Sequence, residues 1–427
     1  MTSDQPAPQV TARQVLRNPK VWIFPTVIVG SVALLLSLLY LGGIINPRAD
    51  LHRLPIGLVN SDAGGDLGGR PENLGRQITT GIAAAPDPAE EVSWRVLSRA
   101  DAMDQLSAGK LYGVLEAPAG LTTAVAALGA AAQPDPVRPT LLVLTNPGVG
   151  SLASSLASSI SQAAAHRASQ QLGGTLTALP AAQGGGNAAR LLLADPLAVT
   201  VEVGHPIGAN SGLGLTAFYY SLLLVLCGFL GANIISNGVD VSLGYAASEL
   251  GPLRTQLPLV PITRTRTLAV TSVMSVVLAV LTSSLVMLAT VVILDMDASH
   301  LPLLWVFSVC ASAAVGLGVQ ALVAAFGGIG QLVSMFVFIA LSLPSSGATV
   351  PLQALPAFYR TLAVFEPMRQ LGDGVRSILY FDAQADAGLT RAWVMIAIAT
   401  VAALLFGFGM TTYYDRRGLH RVHPEAG

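Results

Sequence analysis

Three groups of polar side chains in this chain have types and positions that can do work. Glu366, Arg369, Asp373 and Arg376 lie close together near the C-terminal third and can form an ion-pair cluster, either as local structure or as a gate. Glu249, Arg254, Arg264 and Arg266 fall in one short segment between two apolar runs, where a partner could push. Asn233, Gln320 and Gln331 sit inside apolar runs, and Asn237 stands at the end of one. Uncharged polar groups there serve hydrogen bonds between helices or touch a polar solute. None of these sets is a catalytic constellation.

Other chemistries are missing from the sequence. The only Gly-Lys pair, Gly109-Lys110, is followed by Leu111 and opens no phosphate loop, so this chain carries no ATP cradle of the usual kind. Gly148-x-Gly150 lacks a third glycine, and no Gly-x-Ser-x-Gly elbow occurs. His52, His166, His205, His300, His420 and His423 are scattered, without metal spacing, and suit surface or interface roles. Cys227 and Cys310 both fall in apolar runs, so no structural disulfide is expected. The chain reads as no enzyme, with no metal and no cofactor of its own.

The elements that position these groups are apolar. The 427 residues are 52% hydrophobic and 11% charged, against about 25% charged in soluble domains. The net charge of -1 suggests no nucleic-acid partner. Uncharged runs cover 21–45, 213–236, 267–294, 301–326, 329–343 and 392–412. A bilayer core needs about 20 apolar residues in a helix. The expected fold is therefore a polytopic α-helical membrane protein with about six spans. The fifth run is short, tightly linked through Gly327-Gly328, and reads as a short crossing or a re-entrant hairpin. The first run is longer than the roughly 7–15 residues of a signal-peptide core and ends in no small-x-small site, so it reads as an anchor.

Charge sets the expected orientation. Arg13, Arg17 and Lys20 precede the first span, Arg254, Arg264 and Arg266 follow the second, and Arg416, Arg417 and Arg421 follow the last. The loop holding Asp295, Asp297 and His300 has no Arg or Lys. The positive-inside rule places both termini and the 237–266 loop in the cytoplasm, with 46–212 and 344–391 outside. The expected divisions are a 1–20 interfacial segment, a first span at 21–45, an outer domain at 46–212 and the remaining spans in 213–427. Within 9–20, Arg13 and Arg17 can meet lipid phosphates or an acidic partner, or serve only to set topology.

The 46–212 region alternates strand and helix patterns and reads as a compact α/β domain inserted between the first two spans. Strands are expected at 55–59, 92–97, 111–115, 140–145 and 197–203. Helices are expected at 73–82, at 99–107 capped by Ser98, after Pro118, and at 149–172, with a glycine-rich joint at 183–187. In the cytoplasmic loop, 241–250 can form a short helix bearing Glu249. In the outer loop, 355–361 and 368–380 read as re-entrant helices.

Several ordered motifs resemble a known family. Leu54-Pro55-Ile56-Gly57-Leu58-Val59-Asn60-Ser61-Asp62, Gly69, Asn73-Leu74-Gly75, Trp94-Arg95-Val96-Leu97 to Ala102, and Gly109 through Leu115 resemble the opening of YhgE/Pip membrane proteins. Pro344 through Ala348, Pro351, Leu355 through Tyr359, and Pro367-Met368 through Gly374-Val375-Arg376 resemble the end these proteins share with type-2 ABC-transporter permeases. The resemblance implies a six-span permease, a homodimer in a bacterial inner membrane, and ATP bound on a separate cytoplasmic ABC ATPase. Here the outer region is compact where that family's is often longer and coiled, and Glu366 stands where its pattern is usually apolar. The first functional expectation is the permease subunit of an ABC-type exporter of an amphipathic or lipid-like substrate. The second is a non-transporting envelope protein, a secretion accessory or phage-receptor-like, acting through its outer domain. A secondary carrier is a third.

Overall fold

The computed structural model describes residues 17, 19–42, 46–129, 138–178, 192–250, 252–419 and 421. Two units follow one another: an α/β unit and a helical body. The helix α1 (Pro19–Gly42) leads into the first. Arg13 and the expected 183–187 joint lie outside the described residues.

The α/β unit is built on β1 (Leu54–Asn60), whose apolar run is buried along nearly its whole length. Strands buried on both faces belong at the centre of a parallel sheet. A small hairpin, β2 (Gly65–Asp66) and β3 (Pro71–Glu72), precedes α2 (Leu74–Ala83). Then come β4 (Val92–Leu97), α3 (Arg99–Ser107), β5 (Gly113–Ala117), α4 (Leu121–Gly129), β6 (Thr140–Thr145), α5 (Ser151–Thr177) and β7 (Ala198–Val203). The sheet order is β4-β1-β5-β6-β7. Only the β5–β6 pair is antiparallel. One apolar core joins Leu58, Leu115 and Leu141 to α2, α4 and α5. A second, on the other face, packs Val59 and Val114 against Ala102 and Leu106 of α3.

Local chemistry explains the boundaries. Asn73 Oδ1 accepts from the Arg76 amide at 2.7 Å and starts α2. Ser98 Oγ accepts from the Asp101 amide at 3.1 Å and starts α3, the expected cap. The helix after Pro118 begins only at Leu121, and β5 begins two residues later than expected. Helix α5 starts at Ser151 and runs past 172 to Thr177.

The helical body holds α6 (Thr216–Ser242), α7 (Arg264–Met287, continued by a π-helical turn Leu288–Ile293), α8 (Leu301–Phe326) and α9 (Gly328–Met335). The last continues through a π-helical turn Phe336–Ala340 into α10 (Ser342–Ser345). Two short helices, α11 (Ala357–Leu362) and α12 (Pro367–Tyr380), then lead to α13 (Leu389–Arg416). Among the described residues, five helices are long and apolar enough to cross a bilayer: α6, α7 with its extension, α8, α9 through α10, and α13. The chain is a multi-pass membrane protein by this measure. The expected count of six rests on α1, a single helix of 24 residues whose shorter apolar stretch Val29–Gly42 is described.

Helix α8 is the most buried of the five and sits at the centre. Its small residues admit close neighbours: a Cβ added at Gly228 of α6 would lie 2.7 Å from the Ser312 carbonyl oxygen of α8. Gly316 and Gly318 also face close neighbours, whereas Gly231 meets nothing within 4 Å.

Contacts sort the loops to two ends of the body. At one end the α/β unit is joined by the Asp295–His300 loop, with Asn210 Nδ2 donating to the Asp295 carbonyl at 3.0 Å, and by α11 and α12. At the far end, Tyr414 Oη donates to the Ala325 carbonyl at 3.0 Å, and Arg421 pairs with Asp240 at 2.7 Å. Gly327 lies at the far end beside Arg421, and Ser346 at the near end beside Lys110. The 18 residues Gly328–Ser345 therefore run from one end to the other. The fifth apolar run crosses the body and does not double back.

The helix expected over 241–250 is corrected. Helix α6 stops at Ser242, and β8 (Ser248–Leu250) pairs with β9 (Leu253–Thr255) as a hairpin. Gly244 takes φ of 75°, which a right-handed helix cannot accommodate. Glu249 and Arg254 then face each other across the hairpin, paired at 3.5 Å.

Candidate functional site

Helix α12 carries the first predicted cluster. It is wedged into the near end of the body, with Gly374 tight against Phe307 of α8 and Ala392 of α13. The structure brings three of the four residues together. The Asp373 carboxylate lies 3.5 Å from Arg369 Nε and 3.9 Å from Arg376 Nη1. Arg376 is 8% exposed; its Nη2 donates to the Ala348 carbonyl at 3.1 Å, and its buried Nε has no protein partner.

Glu366 is the correction. It forms no ion pair within 4 Å among the described residues but caps α12, accepting from the amides of Met368 at 2.7 Å and Arg369 at 2.8 Å. The helix begins one residue later at Pro367, which puts this carboxylate on the amides and out of reach of the cluster's far members. It is 3% exposed. Burial pushes its carboxyl up to about 7, against the opposing pull of the Ser342 hydroxyl, the two amides and the Arg369 guanidinium.

Arg369, Asp373 and Arg376 line a cavity of about 570 Å³ between the two units. The α/β unit contributes Lys110 and Tyr112, and the start of α13 contributes Gly388, Thr390 and Arg391. Lys110 pairs with Asp386 across the junction, which holds that carboxyl below its usual range. Arg391 is exposed and makes no hydrogen bond or ion pair with any described residue. Phe381 closes one wall, packed against Gly109 and Gly148, with the His205 ring 5.7 Å away. His205 Nε2 lies 2.7 Å from the Tyr380 carbonyl oxygen, the interface role expected of a lone histidine.

The far end has its own cavity, about 330 Å³, and it unites residues from two predicted groups. Asn237, Gln320, Gln331 and Arg264 all line it, with Asp240 and Arg421. Arg264 is anchored there, its Nε donating to the Leu419 carbonyl at 2.8 Å and its amide to Asp415 Oδ1 at 3.1 Å. Arg266 lies outside the cavity in the first turn of α7, its amide donating to the Thr263 cap at 3.3 Å. Glu249 and Arg254 stay apart on the hairpin.

Gln320 is the interhelical tie. Its Nε2 donates to the Ala232 carbonyl at 2.9 Å, and its Oε1 accepts from Ser236 at 2.8 Å. Asn233 was expected to do the same but instead donates to Phe229 of its own helix at 2.8 Å. Between the two cavities lies the seam packed through Gly228, Ser275, Ser312 and Gly316, with a void of only about 20 Å³.

Lys110, Asp386 and Arg391 had no place in the sequence-based site. Lys110 stands in a Gly-Lys pair that opens no phosphate loop, and its acidic partner is 276 residues away. Among the described residues no three His, Cys, Asp or Glu side chains gather as metal ligands. Cys227 and Cys310 are both free thiols.

A family model matches residues 26–399, well over half of the chain, and the protein belongs to that family, described as a protein of unknown function (DUF3533). No curated protein and no solved structure matches the chain.

Proposed function

We propose that the chain is the membrane-spanning permease subunit of an ABC-type exporter in a bacterial inner membrane. It moves an amphipathic or lipid-like substrate outward as a homodimer, with energy from a separate cytoplasmic ATPase. The observation that carries this reading is the pair of polar cavities at opposite ends of one helical body, separated by a seam of small residues. Small residues let the helix backbones approach closely, so no bulky side chain fills the seam. Opening one cavity while closing the other is the movement an alternating pathway requires.

The short-loop charges support the orientation. The end bearing Arg254, Arg264, Arg266 and Arg417 faces the cytoplasm, and the α/β unit stands outside. Arg369 and Arg376 do not oppose this, because both are drawn into contact with Asp373 inside the fold. The β8–β9 hairpin takes over the partner-contacting role expected of a helix, with Leu253 exposed at its turn.

Co-purification from native membranes tests the reading. An ATP-hydrolysing subunit should be retained by the wild type and lost when 248–255 is replaced by a Gly-Ser linker. Export of a lipid-like dye that persists after ATP depletion, with no ATPase in the purified material, overturns it.

The second reading, an envelope scaffold acting through the α/β unit, draws on the open sheet edges, where Val96 of β4 and Val201 and Val203 of β7 are exposed. Unpaired edges are templates for partner strands. Deleting 50–206 separates the two: a permease keeps some flux, whereas a scaffold loses all function.

A further inference from the structure

We propose that the junction cavity binds the anionic headgroup of an amphipath whose apolar tail lies along α13. Four cations border this space, Lys110, Arg369, Arg376 and Arg391, against two carboxylates, Asp373 and Asp386. Asp386 is taken by Lys110, and Asp373 is shared between Arg369 and Arg376. One carboxylate cannot neutralise two guanidiniums, and Arg391 has no partner among the described residues. The buried Arg376 Nε is an unused donor, and a buried donor without an acceptor is destabilising. The cavity also receives the N-terminus of α13, a 28-residue helix whose cap, Gly388, offers no side chain to its first amides. That end carries partial positive charge. Cations, an orphaned guanidinium donor and an open helix end all select an anion.

The tail follows from α13 itself. Val394 lines the cavity and is exposed. Ile398, Val401 and Leu405 follow at helical spacing on the same face and are exposed too. The stripe runs about 16 Å from the cavity along the helix. A headgroup in the cavity therefore leaves a tail directly against apolar surface. A soluble anion would use only the first half of this site.

This deepens the exporter reading and rests on it only in naming the bound molecule a substrate. The test is binding to the purified full chain in phosphatidylcholine nanodiscs, titrated with phosphatidylglycerol and read by native mass spectrometry. Phosphatidylglycerol is expected to be retained in preference to phosphatidylcholine. Arg391→Gln should weaken retention about tenfold, the worth of one charge-assisted contact, while Arg76→Gln on α2 changes nothing. Equal retention of both lipids, or an unchanged Arg391→Gln chain, overturns the proposal. Displacement of the lipid by inorganic phosphate overturns the tail assignment and leaves an anion site. No nucleotide or flux enters the measurement. Failure of ATP-driven export would leave a positive result standing, and loss of headgroup preference would leave the exporter reading standing.

Discussion

Replacing Glu366 by Gln tests whether burial or hydrogen bonding governs this carboxyl. Its folded value is about 7 against an ordinary 4.5. A group raised on folding adds stability that is full below the unfolded value and lost as pH rises through the folded one. The gap corresponds to about 3 kcal/mol at most. Gln cannot ionise, and it keeps one acceptor oxygen where Glu366 uses two, Oε1 for the Met368 amide and Oε2 for the Arg369 amide, so it gives up one of these bonds, about 1 kcal/mol, at every pH. Thermal unfolding of the full chain in detergent, from pH 4 to pH 8, is the assay. At pH 4, below the ordinary value, Glu366→Gln should melt slightly lower, by the one lost amide bond. At pH 8 Glu366→Gln should melt higher by several degrees, since a domain of 150–250 residues shifts roughly 2–4 °C per kcal/mol. Taking the difference between the chains removes the contribution of every other titrating group. If Glu366→Gln melts lower at pH 8, the amide bonds outweigh burial and the reasoning here is wrong.

Two further perturbations probe the elements that hold the cavities. Gly228→Leu forces a branched side chain where even a Cβ would sit 2.7 Å from Ser312 O and 2.9 Å from Val315 Cβ. Overpacking of this kind costs about 1–3 kcal/mol, and a melting temperature equal to wild type would refute the close approach. Asp62→Ala removes a buried carboxylate that accepts from the amides of Gly75 and Thr122, each at 3.2 Å, and from the Thr122 hydroxyl. Each lost cap costs about 1 kcal/mol, so α2 and α4 should lose amide-exchange protection together. Burial alone would raise this carboxyl, but those hydrogen bonds hold it below its ordinary value. Its contribution is therefore present above the usual carboxylate range and lost on acidification, and unchanged exchange in both helices would count against the shared cap.

Much of the architecture was legible because it is written in local pattern. The runs 92–97, 99–107 and 140–145 match β4, α3 and β6 residue for residue, since alternation and a Ser98 cap act over a few neighbours. The helix expected over 241–250 gives way to a hairpin whose strands are three residues each, too short for either period to show in the sequence. Asn233 and Gln320 are the same kind of residue in the same kind of run, yet only Gln320 bridges helices. The rotation of each helix about its axis, which no local pattern records, decides that.

Sequence alone determined which stretches suit lipid, where strand and helix alternate, and that Arg369, Asp373 and Arg376 could meet on one element. Tertiary structure decided that Lys110 and Arg391 share their cavity, that Arg264 joins Gln320 and Gln331 at the other end, and that Glu366 caps a helix. The sheet order β4-β1-β5-β6-β7 belongs with these. The physical reason is common to all of them. Such neighbours are set by packing between residues far apart in the chain, through contacts like Gly228 on Ser312 and Phe381 on Gly109, and the residue types at either position do not name the other.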